Sequence, residues 1–312
     1  MKPDGGKHMH LVTLLDWNAD RIRKVLAQAH ELKAQALAGQ LRPTLQRKTL
    51  ALLFEKRSMR TRVSFEVAMT QLGGHVTYLS QDDVNLGVRE PIKDGGRVLS
   101  RYVDGIAARV YAHETVEELA AHSSIPVINA LSDRAHPCQA LADLLTIEEK
   151  IEKPADAKIA FIGDANNVAR SLAVICARLG LNFVVACPPA HAFDGEFSAR
   201  VNELAGGSGG AFAVTASPQE AAREADVLYT DVWISMGQEE ETEQRRRDFV
   251  GFRVDGNMLK LAKDDAIVMH DLPAHRGEEI TDEVIEGPQS VVFDQAENRL
   301  HAQRALLQML LG

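Results

Sequence analysis

The stretch Phe54–Glu66 gathers three arginines (Arg57, Arg60, Arg62) and three hydroxyl residues (Ser58, Thr61, Ser64) directly after the apolar run Thr49–Phe54. A strand that ends in Ser58-Met59-Arg60-Thr61-Arg62 and opens a helix is suited to holding a phosphate. The first N–H groups of a helix lack partners, its dipole favours an anion there, and hydroxyls and guanidinium groups complete the cage. The whole chain carries a formal net charge of -9, so this basic cluster reads as a local anion site rather than a polyanion-binding surface.

Four further segments could carry chemistry. In His136-Pro137-Cys138-Gln139 the proline fits a first helical turn, which places His136 and Gln139 near a helix start. Imidazole and amide can both hydrogen-bond a carbonyl or a carbamoyl NH2, although a histidine there also serves as a cap or packing residue. Cys138 alone reads as a small buried hydrophobe rather than a nucleophile. Gly163-Asp164-Ala165-Asn166-Asn167 is not a GxGxxG, but it follows an apolar run, where open α/β sheets bind ligands, and Asn167 could read a carboxylate or an amine there. Asp231-Val232-Trp233-Ile234-Ser235-Met236-Gly237 sets an acid before a hydroxyl and a glycine, which suits a cationic-amine pocket and equally an ordinary strand-to-loop exit. His270-Asp271-Leu272-Pro273-Ala274-His275 invites a metal hypothesis, yet no third firm ligand follows at zinc-like spacing, so no metal is expected. Arg245-Arg246-Arg247, after Glu239-Glu240-Glu241, reads as a solvated helix face.

These segments need elements to position them. Strand-like runs at Thr49–Phe54, His75–Leu79, Gly105–Arg109 and Pro126–Ala130 alternate with helical stretches at Asp20–Leu37, Thr61–Leu72, Pro91–Tyr102 and Thr115–His122. A longer amphipathic helix at Pro137–Glu149 follows, and then the rhythm restarts. Strands fit Lys158–Gly163, Asn182–Cys187, Val227–Val232 and Ala266–His270, with a helix following Asp164–Asn167 through about Leu179 and a final one at Glu297–Leu311. The fold class is therefore α/β: two halves joined near residue 145, each a mostly parallel sheet flanked by helices.

Composition narrows the functional classes. With 312 residues, 45% of them hydrophobic and 25% charged, the chain has the make-up of a soluble two-domain protein. No apolar segment approaches a membrane span, and the polar start Met1–Lys7 lacks a signal-peptide core. Cys138, Cys176 and Cys187 show no CxxC spacing, which points to a reducing compartment, hence the cytoplasm, rather than a disulfide framework. His8 and His10 are too few for a metal site, and there is no basic stripe with interleaved aromatics for nucleic acid.

Taken together and in this order, the segments resemble the ornithine carbamoyltransferases of the aspartate/ornithine transcarbamylase superfamily, from about His10 to the C-terminus. The likeness rests on Phe54–Glu66, Arg89–Asp94, Arg97–Tyr102, His136–Gln139, Asp231–Gly237 and Glu297-Asn298-Arg299. The resemblance implies a carbamoyl-phosphate-binding domain over residues 1–144 plus a C-terminal helix 297–312 packing back on it, and an ornithine-binding domain over 145–296. It implies that Ser58, Met59, Arg60 and Thr61 hold the phosphate. Arg109, His136 and Gln139 would grip the carbamoyl group, with Pro137 and Cys138 in the same binding segment and Arg299 completing it. Asn85 falls where the family lends a side chain to a neighbouring subunit's site. Asn167, Asp231, Ser235 and Met236 match the ornithine positions, and Asp271 and Leu272 a pair that bridges both substrates. The implied activity is transfer of the carbamoyl group to the δ-amine of ornithine in arginine biosynthesis. It needs no cofactor or metal and takes place in a homotrimer, or a multiple of trimers, with shared sites.

Two positions depart from the family's commonest pattern. Met59 stands where threonine is usual, a string also found in N-acetylornithine carbamoyltransferases. Asp271 stands where cysteine is usual, which sets a second carboxylate beside the expected amine. That carboxylate could favour the ammonium, serve as proton acceptor, or be tolerated where only the backbone touches substrate. A carbamoyltransferase for another amine, such as N-acetylornithine or putrescine, and a non-catalytic carbamoyl-phosphate-binding paralogue are the alternatives.

Overall fold

The structure is a computed structural model that describes residues 9–84, 86–234 and 239–312, so Asn85, Ser235 and Met236 lie outside the described residues. Its strands form two wholly parallel sheets. The first contains β1 (Thr49–Phe54), β2 (His75–Ser80), β3 (Gly105–Arg109) and β4 (Val127–Leu131) in the order β2-β1-β3-β4. The second contains β5 (Lys158–Ile162), β6 (Asn182–Ala186), β7 (Ala211–Thr215), β8 (Val227–Tyr229) and β9 (Ile267–Met269) in the order β7-β6-β5-β8-β9. The inner strands are almost continuously apolar and buried, as parallel strands covered by helices on both faces must be.

The chain divides into two compact units. One comprises the described residues up to Ala142 together with Arg299–Gly312, and the other Asp143–Asn298. The divisions fall inside two continuous helices, Pro137–Lys150 and Val292–Leu311. In the first unit, Ile106, Ala108, Val110, Val116 and Leu119 pack with Ala51 and Leu53. The end of the last helix belongs to this unit. Buried Arg304 donates to the Leu32 carbonyl at 3.3 Å and reaches Gln71, which ties the last helix to helices Ala19–Leu37 and Met59–Gln71. In the second unit, Ile162, Leu228 and Val268 from three strands meet Phe249, Phe252 and Ile280.

Element boundaries differ from the sequence reading in several places. Helix Gly195–Ser208, strand β7 and helix Pro218–Ala222 fill a stretch in which the sequence places no element. β7 is a largely exposed edge strand whose short run Ala211–Val214 follows directly on the glycines after Leu204, which imitate a linker. Gly209, at φ +85, is in fact the left-handed cap of that helix. β8 and β9 end at Tyr229 and Met269, short of the expected Val232 and His270, so Asp231 and His270 sit in loops. The last helix begins at Val292, earlier than the expected Glu297.

Candidate active site

In the first sheet the winding direction reverses between β1 and β3, the crevice where open parallel sheets take ligands. Both strands deliver site residues there. Beyond β1, Ser58 caps helix Met59–Gln71, its hydroxyl accepting from the Thr61 N–H at 3.3 Å and lying 3.0 Å from the Thr61 hydroxyl. β3 ends on Arg109, where its register with β4 shifts, a local irregularity of the kind that re-aims a side chain. Arg109 donates to the Thr61 hydroxyl at 3.4 Å and Arg299, from the last helix, donates to it at 2.9 Å. Two guanidinium groups, 7% and 3% exposed, thus converge on one neutral hydroxyl at a helix N-terminus. That is the charge arrangement of an anion site.

His136, at the start of helix Pro137–Lys150, is 2% exposed. Burial first, then the Arg299 and Arg109 cations, hold its imidazole well below the ordinary histidine range. It therefore stays neutral at physiological pH and can hydrogen-bond a carbonyl without titrating. Gln139 is fully buried one turn along. Pro137 opens the helix, and the thiol of Cys138, pushed up to about 12 by burial, donates to the Asn129 carbonyl at 3.5 Å. Cys138 is thus a packed neutral thiol. The Met59 side chain is 72% exposed, so at this position it is the helix backbone that lies in the first turn of the anion site. Arg60 is half-buried and, among the described residues, has no carboxylate partner.

The second sheet repeats the device with the opposite charge. Its reversal lies between β5 and β8. After β5, Gly163 turns the chain at φ +144, a conformation open to glycine, and Asn166 caps helix Asn167–Leu179 through bonds from the Val168 and Ala169 N–H groups. The Asn166 amide donates to Asp231 Oδ2 at 2.7 Å, and the Val232 N–H donates to Oδ1 at 2.7 Å. Asp231 is only 7% exposed, so neutral donors fix its carboxylate in place. Asn167, the first residue of the helix, is half-buried beside Asn166.

The loop after β9 brings His270 and Asp271 to the same place. One oxygen each of Asp231 and Asp271 and one ring nitrogen of His270 lie within 4.8 Å of one another, so the fold supplies the third potential ligand that spacing in the sequence does not. His270 is nonetheless committed elsewhere. Its Nδ1 accepts from the Leu272 N–H at 2.9 Å, so Nε2 carries the proton and donates to buried Glu279 at 3.0 Å. This neutral tautomer holds Leu272 at φ +61, an uncommon backbone for a non-glycine residue, and leaves the two carboxylates uncompensated by imidazolium. Their field shows at Tyr229, whose phenol is raised well above its usual value by burial and then by Asp143, Asp271 and Asp231.

Several contributors carry no motif of their own. Glu279, which steadies His270, and Gln295, which accepts the His270 N–H at 2.9 Å, are recognisable only once the chain is folded. Arg245 corrects the expectation of a solvated basic face: its side chain is 8% exposed and pairs with Asp164 at 2.9 Å, while Arg246 and Arg247 make the exposed contacts expected of the run. A cavity of about 600 Å³ in the second unit, bounded by Trp233, Arg246, Arg253, Met258 and Glu278, is lined by none of Asn167, Asp231 and Asp271.

Residues 9–149 match the family described as "Aspartate/ornithine carbamoyltransferase, carbamoyl-P binding domain", and residues 155–310 match its "Asp/Orn binding domain". The ornithine carbamoyltransferase of Halalkalibacterium halodurans is 52% identical over 305 residues, 98% of this chain and 96% of the relative. The anabolic ornithine carbamoyltransferase of Pyrococcus furiosus is 51% identical over 302 residues, 97% and 96% of the two chains. The solved structure of ornithine carbamoyltransferase from Pyrococcus furiosus superposes with a TM-score of 0.95 at 50% identity, covering 98% of this chain and 97% of that one. With both domain descriptions matched across nearly its whole length, the chain belongs to the aspartate/ornithine carbamoyltransferase family.

Proposed function

We propose that this chain is an ornithine carbamoyltransferase that works in arginine biosynthesis, forming L-citrulline and phosphate from carbamoyl phosphate and L-ornithine. The observation that carries the reading is the convergence of Arg109 and Arg299 on the Thr61 hydroxyl at a helix N-terminus, an anion cradle beside a neutral, buried His136. Similarity to ornithine carbamoyltransferases along nearly the whole chain supports the acceptor, as does the buried Asp231, a counter-charge for an amine.

In this reading the first unit binds carbamoyl phosphate, with Ser58, the Met59 backbone, Arg60 and Thr61 on the phosphate. His136 and Gln139 hydrogen-bond the carbamoyl group. The lone pair of the δ-amine forms a C–N bond to the carbonyl carbon, and Arg109, Arg299 and His136 stabilise the oxyanion that develops. Collapse of the adduct breaks the C–O bond to phosphate, which leaves as the dianion after taking up a proton from the nitrogen. Asn167, Asp231, Ser235 and Met236 hold ornithine, and Asp271 and Leu272 lie between the two substrates. No metal or organic cofactor has a step to perform. The working unit is a cytoplasmic homotrimer, or a multiple of it, in which Asn85 serves a neighbour's site.

The test is citrulline formation at fixed carbamoyl phosphate across pH, with ornithine, N-acetylornithine and putrescine in parallel. Turnover with ornithine alone is the expected result. Turnover with a different amine reassigns the acceptor, and no product from any of them overturns the reading.

A further inference from the structure

We propose that Arg245 is a positioning residue for the amino-acid site, acting as a clamp that sets the placement of the Asp231 carboxylate from outside the strand ends. The inference rests on the proposed ornithine chemistry and goes beyond it, because Arg245 belongs to none of the segments that carry the substrate motifs.

The clamp is a chain of short contacts within the second unit. A single Arg245 nitrogen, Nη1, donates to Asp164 Oδ2 at 2.9 Å and to the Trp233 carbonyl at 3.1 Å. Its Nε donates to Glu241 Oε2 at 2.8 Å. Asp164 lies two residues before Asn166, whose amide grips Asp231 Oδ2, and Trp233 lies two residues after Asp231. Asp231 is therefore bracketed: one loop reaches its carboxylate, the other continues its backbone, and both are fastened to the same guanidinium. Trp233 also stacks on buried Phe249 at 5.6 Å, and the Phe249 N–H donates to the Arg245 carbonyl at 2.9 Å, so the helix Thr242–Asp248 that carries the arginine is seated on the loop it holds.

Burial makes the pair demanding. The Arg245 and Asp164 side chains are 8% and 10% exposed, and burial raises Asp164 against the lowering pull of Arg245. Removing one partner strands a buried charge and moves both loops, whereas removing both charges together relieves it.

The experiment compares R245K, R245Q, D164N and the double variant R245Q/D164N with the wild type in steady-state citrulline assays, varying each substrate in turn and following thermal unfolding. R245Q and D164N are expected to raise the KM for ornithine about tenfold or more while the KM for carbamoyl phosphate stays within about twofold. The double variant should be no worse than R245Q, because both changes cut one contact, and R245K should recover part of the loss. The double variant carries no stranded charge, so it keeps the test readable if R245Q is too unstable to assay. Unchanged ornithine KM values, or KM values for both substrates rising together with a lowered melting point, would overturn the clamp and leave Arg245 a packing residue. A wild-type chain that forms no citrulline fails the function itself, which is a separate result from variants that behave as wild type.

Discussion

The two sheets place their chemistry at the same topological position and fill it with opposite charge. Between β1 and β3 stand Arg109 and Arg299, joined by a histidine kept neutral and a capped helix start. Beside β5 and β8 stand Asp231 and Asp271, joined by a histidine whose proton is committed to Glu279. In each region a buried imidazole is held beside the charged groups: His136 stays neutral next to the arginines, and the His270 ring is engaged by Glu279 and the Leu272 N–H. The comparison teaches that the sheet decides where a ligand goes, while a handful of loop residues decides its sign.

Breaking the cationic region should have the largest effect. Arg299→Gln removes one of the two guanidinium groups on Thr61, and kcat is expected to fall by about 100- to 1,000-fold, with weakened carbamoyl phosphate binding read by calorimetry. Unaltered turnover would separate the anion cradle from catalysis. Breaking the acidic region with Asp231→Asn should cut kcat/KM for ornithine by about 100-fold while carbamoyl phosphate binding persists, because the contacts of Asp231 lie within the second unit.

Asp271→Cys sharpens the comparison by lowering the negative charge without emptying the position. A carboxylate near the amine favours ammonium and raises its pKa, and attack needs the neutral amine. The acidic limb of the kcat/KM profile for ornithine should therefore move about one pH unit downward when the carboxylate goes. Superimposable profiles would mean that only the backbone at 271 matters.

The smallest effect concerns stability and His136. Its folded pKa is depressed by burial and by Arg299 and Arg109, so below pH about 6.5 the unfolded chain takes up a proton that the native one refuses. Stability should fall as pH drops below that value, by at most about 1.4 kcal/mol per pH unit from this group. Urea titrations of the wild type and His136→Gln at pH 7 and 5.5 test the sign: the variant should lose less.

How much of this was legible beforehand depended on whether the information was local. Ser58–Arg62 announces itself because a helix N-terminus, its cap and its basic residues are consecutive in sequence. The strands β1 and β3 were readable to the residue because they are buried on both faces. β7, at an exposed edge, offered only the short run Ala211–Val214 behind a glycine cluster that reads as a linker. The partners of the site residues were illegible for a different reason: Arg245 meets Asp164 across 81 positions, and nothing in a run of three arginines marks which one turns inward. The assignment of Asn167 as the reader of the amino acid likewise could not foresee that Asn166 would take the Asp231 carboxylate.

The contact between Thr61 and Arg299 spans 238 positions, and the second unit is one uninterrupted stretch enclosed by the two parts of the first. During synthesis the acidic unit can therefore finish before the first unit receives the last helix. The second guanidinium on Thr61 arrives only when Arg299 has emerged, so a ribosome stalled before that point displays a chain with the Asp231 and Asp271 carboxylates in place and one of the two arginines on Thr61 missing. Moving the ends by circular permutation to a surface loop of the second unit would make the first unit contiguous and reverse that order.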